Sequence, residues 1–255
     1  MKSKKIIIGS RGSKLALIYA ERAKTELKRF SKEVDIEIKK ITTKGDTIQD
    51  VRLSDTGGKG LFCKFIEEEL INKKIDIAVH ALKDLPSIET ESLITNCFLE
   101  RNDPREILIS KNNLDFQKLK KDSTVGTSSF RREFQLKRIR NDLKYKIIRG
   151  NVDTRIKKLN ENLFDAIILS YAGIKSLNLA NNISQIFSTS EVIPSAGQGV
   201  IALQCRKNDN NIIQLLNQIN HKKTHCCVKA ERNVLKTLEG DCETAIGVLA
   251  KIEVN

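Results

Sequence analysis

Five short stretches hold the residues that could do chemistry. They are SRGS at 10–13, DTGGKGLF at 55–62, HALKDLP at 80–86, the pair TSSFRR at 127–132 with RGNVDTR at 149–155, and LEGDCETAIG at 238–247. In the first, Ser13 can cap a following helix while Arg11 stands over its N-terminus, a fair anion site, although in isolation a simple capping turn with an exposed arginine is the better explanation. In the second, Gly57, Gly58 and Gly60 surround Lys59. A nucleotide-binding P-loop is disfavoured because GxxxxGK[ST] is missing, whereas a lid or an anion-binding turn is compatible with the stretch. In the third, Lys83 and Asp84 leave a hydrophobic strand before Pro86, which stiffens the turn. His80 reads as a satisfied structural residue. Asp84, if ionised at the mouth of a cleft rimmed by cations, can hold N–H donors or stabilise a cationic intermediate. A plain surface pair of Lys83 with Asp84 is the competing explanation.

The fourth stretch is the most demanding electrostatically. Ser128 and Ser129 can cap a helix whose first turn carries Arg131 and Arg132, and Asn151 can do the same for a helix flanked by Arg149 and Arg155. Guanidinium groups grip carboxylates bidentately, so several of them aimed at strand ends form a clamp for a polyanion. Their mutual repulsion costs stability unless an anion is present, which favours a ligand over a solvated face. In the fifth stretch Cys242 is ambiguous by itself: a thiol can be an inert apolar group, a metal ligand, a nucleophile or a covalent anchor.

The elements that must position these loops alternate in type. Ile6 to Ile8 precede a helical pattern through Leu15, Ala16, Tyr19, Ala23, Leu27 and Phe30, and VDIEIKKI then alternates with Val34, Ile36 and Ile38 on one face. Phe62, Phe65, Ile66 and Leu70 mark another helix, and IDIAV a buried strand. The order repeats in ILIS at 107–110, TVGTSS at 124–129, a basic helix through Leu136 and Ile139, YKIIRG at 145–150, a helix through Ile156 and Leu159, and DAIILS at 165–170. GVIALQC follows the glycine-rich PSAGQG as one more buried strand, IIQLLNQI and residues 224–238 read as helices, and AIGVLAKI at 245–252 reads as a strand. The expectation is an α/β protein of two lobes with mainly parallel mixed sheets around a cleft, the favoured place for a ligand.

Composition narrows the partners. The 255 residues carry a formal net charge of +13, concentrated in residues 1–40 and 131–158. Aromatic residues make up 5%, tryptophan is absent, and no RNP-like or zinc-finger pattern occurs, so a small polyanion fits better than nucleic acid. The six cysteines form no CxxC pair, and adjacent Cys226 and Cys227 with His225 are not spaced as a zinc knuckle. No metal is expected. Three isoleucines are too few for a signal-peptide core or a membrane span, so a cytoplasmic location without membrane association is expected.

In order along the chain, SRGSKLAL, KGDT, GGKGLF, DIAVHALKDLP, RNDPRE, VGTSSFRR, RGNVDTR, PSAGQG and LEGDC closely resemble the hydroxymethylbilane synthase, or porphobilinogen deaminase, family from about Ile6 to Ala250. The resemblance implies two periplasmic-binding-protein-like lobes, 1–99 with 200–218 and 104–193, and a shortened α+β third domain, 219–255, that anchors the cofactor. It implies a transferase that polymerises four porphobilinogen molecules into a linear tetrapyrrole with release of ammonia, acting as a monomer on porphobilinogen and the growing polypyrrole chain. It places a covalent dipyrromethane primer on Cys242 and the catalytic carboxylate on Asp84. It assigns Lys83, Ser129, Arg131, Arg132 and Arg155 to the cofactor, Arg11, Ser13 and Arg149 to the substrate, and Lys59 to a lid. Three positions depart from the family pattern: Asp241 where glycine is common, Ile7 where a basic residue is usual, and Ser176 where arginine is usual. Members also continue through further strands and a helix, so this sequence is either a natural short form or a truncated one.

Overall fold

A computed structural model describes residues 5–31, 33–42, 63–241 and 244–253. The first sheet is built by β1 (Lys5–Arg11), β2 (Asp35–Ile41), β3 (Ile77–Ala81), β4 (Leu93–Phe98) and β10 (Ile201–Arg206), in the order β2-β1-β3-β10-β4. The second comprises β5 (Glu106–Ser110), β6 (Thr124–Gly126), β7 (Lys144–Lys146), β8 (Ala166–Ser170) and β9 (Gln185–Ile186), in the order β7-β6-β8-β5-β9. Neither sheet is mainly parallel, which corrects the expectation from sequence. Among the described residues each has two parallel and two antiparallel pairings. The reason is the connection between them: β10 returns from the second sheet and enters the first between β3 and β4 against their direction, while β5 runs against both β8 and β9.

Helical periodicity places the covering layers. In α1 (Lys14–Phe30), Ser13 caps the start and Tyr19, Ala20, Ala23 and Leu27 form the buried stripe. That stripe packs with Ile8, Ile36 and Leu203 of the sheet and with Ile212 and Leu216 of α6 (Asn210–Ile219). The other face is closed by α2 (Lys64–Ile71) through Ile66 and Leu70, against Ile41, Ile75 and Leu93. In the second sheet, Leu136 of α3 (Phe130–Ile139) joins Leu108, Val125 and Phe187 on one face. Leu159 of α4 (Val152–Asn160) and Ile174 of α5 (Tyr171–Ser176) join Ile107, Phe164 and Ile167 on the other. Each such fully buried aliphatic side chain contributes roughly 1.5–3 kcal/mol through loss of apolar surface to water.

Two antiparallel segments join the sheets. Leu99 N–H donates to Ile201 O at 3.1 Å and Asn102 N–H to Gly199 O at 2.8 Å. Gly199 has φ +80°, and a Cβ there would stand 2.4 Å from the Asn102 carbonyl oxygen, so only glycine fits. Beside this junction lies α7 (Lys222–Thr237). Its fully buried Glu231 accepts from Arg101 (2.8 Å), from Gly197 N–H (2.7 Å) and from Ala250 N–H (2.9 Å). AIGVLAKI forms no strand among the described residues, a second correction. Ala250 bonds a carboxylate and Val248 N–H bonds Pro194 O, so this segment is pinned over the junction and pairs with no strand. Among the described residues no helix is long and apolar enough to cross a membrane.

Candidate active site

Parallel β1 and β3 end at the same edge of the first sheet, and the loops that follow them form a pocket there. Arg11, Ser13, Tyr19, Cys63, His80 and Asp84 line it. Ser13 Oγ accepts from Ala16 N–H at 3.3 Å, so its lone pair serves α1 as the sequence suggested. Beyond β3, Leu82–Asp84 forms a single 3-10 turn whose Leu82 is buried against Val200 and Val228. The apolar anchor fixes where the two polar neighbours emerge. Lys83 Nζ donates to Gln198 Oε1 at 3.3 Å, and Gln198 Nε2 donates onward to Pro104 O at 2.6 Å, tying the lysine to the junction between the sheets. Burial, reinforced by the positive charge of Arg132, pulls the Lys83 ammonium down to about 8.

Asp84 is felt on both sides of the cleft. Burial first and the Asp84 charge second push the Tyr19 phenol up to about 12, and Asp84 also supports the charged forms of Lys83 and, from the second sheet, Arg155. Arg155 is nonetheless pulled down to about 10 by burial and by Arg132 and Arg149, while its Nε donates to Gly150 O at 2.8 Å. Loops from two separate sheets therefore bring their charges to one place. A plain surface pairing of Lys83 with Asp84 does not describe this geometry: among the described residues no ion pair joins them, and Lys83 turns to Gln198.

The arginine pair departs most from a simple clamp. Ser129 caps α3 by accepting from Arg132 N–H at 3.4 Å, whereas Ser128 Oγ donates to Ile148 O at 2.6 Å and takes no part in the cap. Asn151 makes no side-chain cap to α4. Arg131 and Arg132 are buried, and each places one guanidinium nitrogen on fully buried Glu106, at 2.6 and 2.7 Å. Their other arms donate to backbone, Arg131 to Ile193 O at 2.7 Å and Arg132 to Ile168 O at 3.1 Å. Arg132 Nε is buried without a partner among the described residues. Burial alone would raise the Glu106 carboxyl, but Arg132 and Arg131 outweigh it and hold the group at about 2.

Sequence reasoning quoted Glu106 only as the last residue of RNDPRE and gave it no role, although a charged residue opening an otherwise apolar strand was a signal. Tyr19 was read as core and Gln198 as part of a glycine-rich turn. Lys59, Cys242 and the KGDT and GGKGLF motifs lie outside the described residues. Of the three departures, Ile7 packs toward the apolar cluster of Ile41, Ile66 and Leu70, and Asp241 N–H bonds Thr244 Oγ1 at 2.9 Å. Ser176 Oγ donates to Ala172 O at 2.8 Å and makes a polar contact with the Tyr19 phenol across the lobes.

These residues suit a dicarboxylate-bearing group. Among the described residues one buried carboxylate serves two buried arginines, Arg132 keeps a spare N–H, and the three N–H donors of Lys83 meet one amide oxygen. Residues 6–214 match the family model described as porphobilinogen deaminase, dipyromethane cofactor binding domain. The porphobilinogen deaminase of Chlorobium phaeovibrioides is 44% identical over 250 residues, covering 98% of this chain and 80% of that protein. That of Bacillus cereus strain B4264 is 45% identical over 253 residues, covering 99% and 82%. In three dimensions the sulfate-bound regulatory domain of a mutant OxyR2 from Vibrio vulnificus aligns with a TM-score of 0.50 at 11% identity, over 85% of this chain and 95% of that one. That likeness concerns the two-lobed, periplasmic-binding-protein-like fold.

Proposed function

The chain belongs to the porphobilinogen deaminase family and is a transferase that joins four porphobilinogen molecules into linear hydroxymethylbilane with release of ammonia, and we propose that Asp84 is its catalytic carboxylate. The observation that carries this assignment is the position of Asp84, whose charge acts on Tyr19 and Lys83 from its own lobe and on Arg155 from the other.

The chemistry follows from that position. A pyrrole N–H is a hydrogen-bond donor, and the ring becomes cationic when its aminomethyl group departs as ammonia. An ionised carboxylate accepts from that N–H and stabilises the positive charge most strongly where neighbouring dipoles are already fixed. Arg11, Ser13 and Arg149 would bind the acetate and propionate groups of the incoming substrate, while Lys83, Ser129, Arg131, Arg132 and Arg155 would bind those of the cofactor. Dipyrromethane, when bound, supplies the pyrrole carbon that accepts the first substrate. Its thioether anchor in this reading is Cys242, with Lys59 on a lid over the site and residues 219–255 as the anchoring domain.

Intact mass and peptide mapping of the freshly purified protein test the proposal. The peptide containing Cys242 should carry an added dipyrromethane. Asp84→Ala should keep that adduct and lose most turnover. Normal turnover by Asp84→Ala removes the aspartate from the mechanism, and a bare Cys242 in an active protein removes the anchor.

A further inference from the structure

His80 lines the same pocket as Asp84, and a chain of side chains running from buried Gln204 to half-buried Glu67 and Thr90 dictates which of its ring nitrogens holds a proton. Glu67 accepts on both oxygens, from Thr90 Oγ1 on one at 2.8 Å and from Gln204 Nε2 on the other at 2.8 Å. With its amide nitrogen committed, Gln204 turns Oε1 toward His80 Nε2 at 3.1 Å. An amide oxygen has no proton to give, so Nε2 carries the hydrogen and, in the neutral ring, Nδ1 keeps the lone pair. Burial first, with Arg11 opposing a second positive charge, holds the ring down to about 4, so it is neutral at pH 7. The charged or titratable groups around it among the described residues are Arg11, Tyr19, Cys63 and Asp84 in the pocket and Glu67 behind Gln204.

The positioning of substrate assigned to this pocket needs one thing that no residue named so far supplies. Porphobilinogen presents two kinds of N–H donor, the ring N–H that Asp84 faces and the aminomethyl ammonium that must leave. We propose that His80 Nδ1 accepts a hydrogen bond from that ammonium and so fixes the departing nitrogen while Asp84 faces the ring. The proposal rests on the assignment of porphobilinogen to this pocket. A strongly depressed basicity is what the task requires. A basic imidazole would take the proton and leave a neutral amine, a poorer leaving group in the form of an amide ion. The weakly basic ring accepts the bond without taking the proton. The C–N bond then breaks with its electron pair going to nitrogen, ammonia departs, and the positive charge passes to the substrate ring beside Asp84.

Two substitutions separate this role from a structural one, because asparagine and glutamine replace different ends of the ring. His80→Asn keeps an acceptor near Nδ1 and gives up the bond to Gln204. His80→Gln can reach Gln204 and gives up the acceptor near Nδ1. In holoenzyme, KM for porphobilinogen should rise about tenfold in His80→Gln and stay within about threefold in His80→Asn, the scale of one lost hydrogen bond to a charged donor. A purely structural histidine predicts the reverse order, and that order or equal KM values overturn the proposal. Nitrogen NMR of the wild-type holoenzyme gives a result that does not depend on the variants folding: Nε2 should be protonated and Nδ1 bare at pH 7. An Nδ1–H tautomer or an imidazolium overturns the proposal. Loss of the Asp84 assignment would appear as turnover in Asp84→Ala and would leave the His80 tautomer unchanged.

Discussion

Replacing Glu106 by glutamine tests the electrostatic design of the site while changing one atom. The carboxylate is fully buried and spends one oxygen on Arg131 at 2.6 Å and the other on Arg132 at 2.7 Å. Glutamine keeps the shape but faces one guanidinium with an N–H2 group and leaves two buried cations without a counter-charge, with Lys83 and Arg155 close enough to add repulsion. Two charge-assisted hydrogen bonds at about 1.5–3 kcal/mol each, or a broken buried ion pair at about 3–5 kcal/mol, give the same magnitude. For a chain of this size that corresponds to a fall in Tm of about 6–20 °C at pH 7. The pH dependence carries the sign. The Glu106 carboxyl lies at about 2 in the folded protein against an ordinary value of 4.5, so its contribution is complete above about 4.5 and lost as pH falls through about 2. The gap between wild type and Glu106→Gln should therefore be constant above pH 4.5 and narrow below it. Thermal unfolding by circular dichroism across pH 3–8 measures both features. A Tm within about 2 °C of wild type at pH 7 would refute the reasoning, because it would mean that the arginines need no internal anion.

Two further outcomes follow from the junction and the lysine. Gly199→Ala places a Cβ about where the Asn102 carbonyl oxygen lies and forces alanine to φ +80°, so a loss of about 1–3 kcal/mol or more is expected in denaturant unfolding, and unchanged stability would mean the two crossing segments can part freely. Because the Lys83 ammonium lies at about 8, it binds carboxylates below that pH and loses its charge above it, so kcat/KM for porphobilinogen should decline above about pH 8 with an inflection that Lys83→Arg abolishes. An identical inflection in both proteins assigns it to another group.

The alternation of elements was legible because apolar periodicity survives in a chain this rich in lysine. Ile6 and Ile8 mark β1, and Tyr19, Ala23 and Leu27 mark α1, since each must bury one face. Strand direction was not legible. Nothing in VIALQC states that it runs against β3 and β4, because a strand buried on both faces is apolar throughout in either orientation. The failure at AIGVLAKI has a related cause: an apolar run reads as a strand whether or not a partner edge is available, and here Ala250 N–H is taken by Glu231. The residue types of the site were visible in SRGS, KD and SSFRR, but their partners were not. Glu106 meets two arginines 25 and 26 positions away, and His80 meets Gln204 at a separation of 124. Periodicity reports what a residue buries; it is silent on which polar group waits at the other end of a long-range contact.

The place of β10 in the first sheet has a consequence for synthesis. Residues 106–186 complete the second sheet from one continuous stretch, whereas β3 and β4 stay apart until residues 201–206 arrive to lie between them. At translation rates of about 5–20 residues per second, the wait from the end of β4 to the end of β10 is roughly 5–20 s. For that interval the facing edges of β3 and β4, with Val79 and Cys97, lack the strand that covers them in the finished protein. The part of the chain made first is thus the last to close, and the later lobe can be formed while the earlier one is still open.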